Sequence, residues 1–249
     1  MISVLTRLIL TAIILMVAAC STNKPLPEPY YKVPVDKTSA QQNEMSWWAY
    51  RFRIRWSEEN DKPDFSIDLL LADAVVKPVL ERNAEKLLWW RFHRRAARQA
   101  PGHQFSFLFY TDDATAADVL KALNESPLLA NLIASDLIVE VVSSDTDKKN
   151  NTKIEAFSDK SWSAAIQKTW PSYIMGVSAF WLALIDEVKS ELKIAKPTAA
   201  EGEDSIKALL QDYRRVDDEI NEMWQQEGQH ALLHHLSAVM GYKPVLIKY

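Results

Sequence analysis

Cysteine is nearly missing from this chain: Cys20 is the only one in 249 residues, so no disulfide can close within one molecule. Glycine is scarce too. The five present build no phosphate-binding loop, no dinucleotide fingerprint and no Gly-x-Ser-x-Gly elbow. The metalloprotease pattern His-Glu-x-x-His is absent, because "HALLH" (residues 230 to 234) has Ala231 where the general base would stand. Adjacent carboxylates such as Asp112 and Asp113, or Asp217 and Asp218, point about 100° apart on a helix, and they read as a cap and a solvated face. No internal repeat is evident. A formal charge of -4 gives no overall pull toward nucleic acid or anionic lipid, so any basic patch must be local. The longest apolar run, Leu8 to Ala19, falls short of the ~20 residues of a permanent membrane span.

That run follows a single positive residue, Arg7, and ends in small residues, the pattern of a secretory signal peptide over residues 1 to 19. The segment "LMVAACS" resembles the lipobox of bacterial lipoproteins, with Cys20 at the position that is lipidated and becomes the new N-terminus. The resemblance implies a membrane partner held through an N-terminal palmitate-type anchor, and it leaves no thiol for catalysis. Ser21 after the cysteine, rather than Asp, implies the outer membrane with the protein facing the periplasm, the inner membrane being the alternative. Loss of Arg7 takes the formal charge from -4 to -5. Residues 20 to 45 carry Pro25, Pro27, Pro29 and Pro34 among polar residues and show no period. They read as a lipidated tether reaching at most ~75 Å, at ~3 Å per residue.

The remaining ~200 residues suit one domain or one domain with a helical extension. "WWAYRFRIRW" (residues 47 to 56) alternates, with Trp48, Tyr50, Phe52, Ile54 and Trp56 on one face and Trp47, Ala49, Arg51, Arg53 and Arg55 on the other. A helical stretch from Ser66, a plausible N-cap, to Asn83 follows, with Pro78 starting a second helix or kinking the first. "LLWWRFHRR" and "HQFSFLFY" flank a Pro-Gly turn and form a hairpin. A helix through Val119 to Leu123, another begun by Ser126 and Pro127, and the strand "DLIVEVV" complete the unit. In that strand Leu137, Val139 and Val141 alternate with Ile138, Glu140 and Val142.

The order strand, helix, strand, strand, helix, strand defines an α+β domain over residues 46 to 156, a split βαβ (ferredoxin-like) sheet with helices on one face. Residues 157 to 249 form a C-terminal helical region. It reads as helices over 159 to 169 and 171 to 194, the second restarting at Pro171, and a long helix from Ser205 to Met240 paired with them as a hairpin. "YKPVLIKY" closes the chain as a short edge strand.

Three arginines in alternation pose the functional question. Arg51, Arg53 and Arg55, with Arg91, His93 and Tyr110 from the hairpin, would share the sheet face that the helices leave open. Guanidinium forks grip carboxylates and phosphates by paired hydrogen bonds, so the group is a candidate site for an anionic ligand or an envelope protein, but not for nucleic acid. The bland reading pairs these arginines with Glu140 and covers the rest with the acidic C-terminal helices. On the long helix, Ile206, Leu209, Tyr213, Val216, Ile220 and Met223 make an apolar stripe. The stripe runs on into Glu227, His230 and His234, a carboxylate and two imidazoles at metal-ligand spacing; the chain has no second Glu-x-x-His to complete such a site, so helix packing or pH-sensitive interface histidines are the preferred reading.

The run "LLWWRFHRRAARQAPGHQFSFLFYTDD" resembles the C-terminal domain of lantibiotic dehydratases and thiopeptide-forming enzymes, through Trp89, Trp90 and Arg91 and then Pro101, Gly102 and His103. The resemblance spans residues 47 to 190 at most and implies a shared fold without catalytic residues. No cofactor is expected. The reading is a lipid-anchored envelope protein with a non-catalytic binding or scaffolding role in the periplasm. The alternative is an enzyme that holds an anionic substrate with Arg53, Arg91, His93 and Tyr110.

Overall fold

Alternation of large apolar and polar residues drives four segments into strands, because successive side chains of an extended chain point to opposite faces. The computed structural model of the protein describes residues 45–56, 62–97, 102–145, 151–195 and 203–243. Residues 1–44, on which the expected signal peptide, Cys20 and the expected tether fall, and the closing residues 244–249 lie outside the described residues. Strands β1 (Met45–Ile54), β2 (Trp89–Ala96), β3 (His103–Asp112) and β4 (Ile138–Ser143) form one antiparallel sheet in the order β2-β3-β1-β4. This is the ferredoxin-like order, with β1 and β3 at the centre.

Register carries the alternation across the sheet. Phe52 faces Phe105, Tyr50 faces Phe107 and Phe107 faces Phe92, so one face is almost wholly aromatic. Trp48, Tyr50, Phe52, Phe105, Phe107 and Phe109 are each at most 1 % exposed, and burying a side chain of this size stabilises the fold by ~1.5–3 kcal/mol. In β4 the simple alternation fails. A register shift opposite Arg53 and Ile54 pairs Glu140 with Arg53 but Ile138 with Ile54, so a bulge moves Ile138 to the aromatic face, away from Glu140.

The helices cover that aromatic face. Helix α1 (Ser66–Leu70) runs through a π-helical turn (Leu71–Val76) into α2 (Lys77–Arg82), and Pro78 follows directly on that π-turn, where the regular hydrogen-bond ladder is already interrupted. Ser66 is the first residue of α1 rather than its cap; the Asp64 carboxylate accepts from the Ser66 amide at 3.2 Å. Helices α3 (Asp113–Asn124) and α4 (Pro127–Ala134) start as their caps dictate, Asp112 accepting from the Thr115 amide at 2.8 Å and Ser126 from the Leu129 amide at 3.3 Å.

Beyond the sheet the chain makes a 3-10 turn (Ile154–Phe157) and the helix α5 (Ala164–Glu191). A break at Pro171 was expected, yet α5 is continuous through it. Pro171 removes the N–H that would bond the Gln167 carbonyl, and the Ser158 hydroxyl, shared with the Glu155 carbonyl, reaches that oxygen at 3.1 Å instead. Helix α6 (Glu203–Gly228) leads through a second π-helical turn (Gln229–His234) into α7 (His235–Val239). Among the described residues no helix is long and apolar enough to cross a membrane.

The expected apolar stripe of α6 is its inward face, with Ile206, Tyr213, Val216 and Ile220 buried. A buried charge cluster ties α5 and α6 to the π-turn between α1 and α2. Asp73 accepts hydrogen bonds from the Lys189 ammonium and the Tyr213 hydroxyl, with Lys77 3.5 Å away and itself bonded to Asp186. Burial, and then the neighbouring Asp73 charge, push the Tyr213 phenol far above its ordinary pKa, so it stays a neutral donor.

Candidate functional site

Arg51, Arg53, Arg91, His93 and Tyr110 do share the sheet face that α1 to α4 leave open. Arg51 on β1 aligns through Ser106 on β3 with His93 on β2, and Arg53 aligns through Gln104 with Arg95. The structure then divides the group. Arg53 is paired with Glu140, and Arg55, just past the end of β1, with Asp136. Exposed pairs of this kind hold β4 and its entry turn against β1 and contribute ~0–1 kcal/mol each.

Tyr110 is fully covered. The segment 151–157 crosses the open face at the Trp47 end, where the Trp47 indole donates to the Ile154 carbonyl (2.8 Å) and the Tyr110 hydroxyl to the Thr152 carbonyl (2.7 Å). Met45, Trp47, Leu88, Leu108 and Tyr110 form a second small core there, closed by Phe157. Burial, and then Glu155, raise the Tyr110 phenol above its ordinary pKa. The cover is therefore this short turn; the C-terminal helices, which the bland reading put over the arginines, pack instead along the edge of β2 through Ser178 and against the helical layer through Tyr213.

Arg91 and His93 stand apart from the paired arginines. Arg91 is half-buried, its Nε is wholly buried with no hydrogen-bond partner, and no carboxylate among the described residues pairs with it. Desolvation lowers its pKa from the usual guanidinium value. His93 is lowered as well, by desolvation first and then by the positive charges of Arg91 and Arg95.

Both residues line a cleft of about 940 Å³ between β2, α5 and α6. Helix α5 explains it, because α5 carries two apolar stripes. Pro171, Met175, Ser178, Leu182, Ile185 and Lys189 form the buried stripe. Trp170, Ile174, Val177, Trp181 and Leu184, at alternating spacings of four and three, form a second one that faces the cleft. The opposite wall comes from Ile220, Met223 and Trp224 of α6. Apolar surface remains in water at the rim: Val177 is 42 %, Phe180 48 % and Trp224 54 % exposed. Polar groups lining the cleft are Arg91, His93 and Arg94 on the strand side, Ser178 on α5, and Asn221 and Glu227 on α6.

Two of those polar groups have structural duties. Ser178 accepts the Phe92 amide at 3.0 Å. Arg94, on the aromatic face, is bound to buried Asp68 at 2.8 Å and lies between the rings of Phe65 and Trp181, 4.7 and 5.0 Å from their centroids. The other Asp68 oxygen meets His103 Nε2 at 3.0 Å, leaving His103 Nδ1 buried without a partner. That aspartate and histidine resemble part of a catalytic relay in composition. His103 is 1 % exposed and does not line the cleft, so the pair acts in packing.

Glu227 also lines the cleft, but His230 and His234, on the second π-helical turn, do not line it; they are exposed, with rings stacked 5.3 Å apart. The wider turn brings in His235 as well, 5.3 Å from His234, a neighbour that a regular α-helix would point elsewhere. Among the described residues no three His, Cys, Asp or Glu side chains converge as a metal site would require.

The described fold is thus an α+β sheet whose edge strand and C-terminal hairpin enclose an apolar cleft with a basic side. No family model, curated protein or solved structure matches the chain.

Proposed function

We propose that this is a lipid-anchored envelope protein, attached through Cys20 to the outer membrane and facing the periplasm, with a non-catalytic binding role carried out by the cleft between β2, α5 and α6. The observation that carries the binding role is the second apolar stripe of α5. A helix packed on one side normally turns a polar face to water, whereas α5 turns Trp170, Ile174, Val177 and Trp181 to an open cleft. Apolar walls with a few convergent polar groups are what small-molecule sites share. The alternative, an enzyme using Arg53, Arg91, His93 and Tyr110, has less to support it, since Arg53 is paired with Glu140 and Tyr110 is sealed under the 151–157 segment.

Two measurements test the reading. Palmitate labelling of the chain in cells should be lost in Cys20→Ser; labelling that survives would remove the anchor. A neutral apolar fluorescent probe, N-phenyl-1-naphthylamine, should bind the mature chain and lose binding in Val177→Glu without a change in melting temperature. Failure of the probe to bind would remove the cleft.

A further inference from the structure

Resting on the reading of the cleft as a binding site, we infer that its ligand is a single-chain amphiphile with an anionic head group, the chain lying between α5 and α6 and the head group at Arg91.

The walls set the chain. From Trp170 to Leu184 the second stripe of α5 runs for about 21 Å at 1.5 Å per helical residue. The cleft is long, and its volume lies within the range of small-molecule sites. Trp170, Trp181 and Trp224 line it and present flat apolar surface. Such walls reward length of hydrocarbon rather than hydrogen-bonding groups.

Arg91 sets the head group. Arg53, Arg55 and Arg94 each have a carboxylate partner, whereas Arg91 has none among the described residues, and its Nε is buried and unsatisfied. Arg91 lines the cleft, and an oxyanion entering it takes charge-assisted hydrogen bonds from a guanidinium that no carboxylate among the described residues already holds. His93 stands beside it on the same side of the cleft and offers a ring N–H to the same oxyanion. Glu227, on the facing wall, disfavours a second anionic group there and so fixes the ligand's direction. The head group's chemistry is an oxyanion, which an alkyl carboxylate and an alkyl phosphate both supply.

The test uses the mature chain with Cys20→Ser, which keeps every described residue and keeps the protein's own lipid out of the assay. Displacement of N-phenyl-1-naphthylamine is followed for alkyl carboxylates, alkyl phosphates and alkyl trimethylammonium salts of increasing chain length, each below its micelle concentration. Affinity should rise about fourfold per added methylene until the cleft is full. Either anionic series should bind at least about tenfold tighter than the cationic one, and the better of the two anions identifies the head group.

Arg91→Gln should abolish the preference for anions while leaving the dependence on chain length, and Arg91→Lys should retain part of it. Equal displacement by anionic and cationic chains overturns the head-group assignment. If the probe binds and Val177→Glu removes it, but no amphiphile displaces it, the inference falls and the cleft stands. Displacement by an amphipathic peptide alone would likewise overturn the inference, in favour of a protein partner. A probe that never binds overturns the cleft reading itself.

Discussion

The backbone amide of Phe92 donates to the side chain of Ser178 at 3.0 Å, closing the outer edge of β2 with a helix instead of a fifth strand. The donor is buried, so Ser178→Ala leaves an N–H without a partner and should cost ~1–3 kcal/mol. In a domain of this size that corresponds to a fall of roughly 2–12 °C in melting temperature. Amide exchange at Phe92 should accelerate with it; an unchanged exchange rate would mean that α5 does not hold the edge.

Asp73 joins Lys189 and Tyr213 in the interior, so Asp73→Asn strands an ammonium group where little water reaches it. The expected loss is ~3–5 kcal/mol, read from urea denaturation. Because Lys189 and Tyr213 lie on different helices, α5 and α6 should loosen together.

Two pH effects of the same sign fall at opposite ends of the scale. Burial raises the Tyr50 phenol to about 12, where it donates to Asn124 at 2.6 Å. A folded pKa above the unfolded value of ~10 means that this stability is present below pH ~10 and lost as pH rises toward 12. Tyr50→Phe should flatten the alkaline side of the stability curve. Asp217 is raised, chiefly by burial, despite the nearby Arg94. Its contribution is present below pH ~3.9 and lost as pH rises through its folded pKa. Asp217→Asn should therefore melt higher than the parent at neutral pH and level with it in strong acid; equal melting at both would refute the assignment.

Gly228 is helical, and a Cβ built there would come 2.7 Å from the Trp224 ring. Gly228→Ala should gain helix propensity, about 1 kcal/mol, while pushing Trp224 off the cleft wall. A more stable protein with weaker probe binding and altered tryptophan fluorescence is the expected signature.

The sheet was legible because its signals are local. Alternation in "WWAYRFRIRW" and "HQFSFLFY" and the caps at Asp112 and Ser126 act over a few residues, and their sum leaves one topology. The arginine face was legible in its membership, since register follows from alternation. Its pairing with Glu140 was also foreseeable. The burial of Tyr110 was not, because it depends on residues 151 to 157, a stretch with no period of its own. The bulge that turns Ile138 inward leaves equally little trace.

The cleft could have been found. Trp170, Ile174, Val177, Trp181 and Leu184 fall at helical spacing, but a break placed at Pro171 hid the continuity of that stripe. What rescues the helix there is the Ser158 hydroxyl, a contact between distant turns that no spacing rule contains. Arg94 was missed for another reason: it alternates onto an aromatic face, where a charge is tolerated only because Asp68 and two rings receive it.

The turn over Trp47 and Tyr110 has a consequence for how the molecule comes apart. Its contacts join the two ends of a long stretch of chain, Trp47 and Ile154 being 107 residues apart. The segment also accepts the Trp47 amide of β1 at the Asn151 carbonyl, 3.1 Å away, and this bond, like those of the Trp47 indole and the Tyr110 hydroxyl, lies outside the strand ladder. The turn can lift while the sheet stays paired, an opening that stops short of unfolding. In such a state the Trp47 indole meets water first, and its emission would shift to the red ahead of any loss of β-structure.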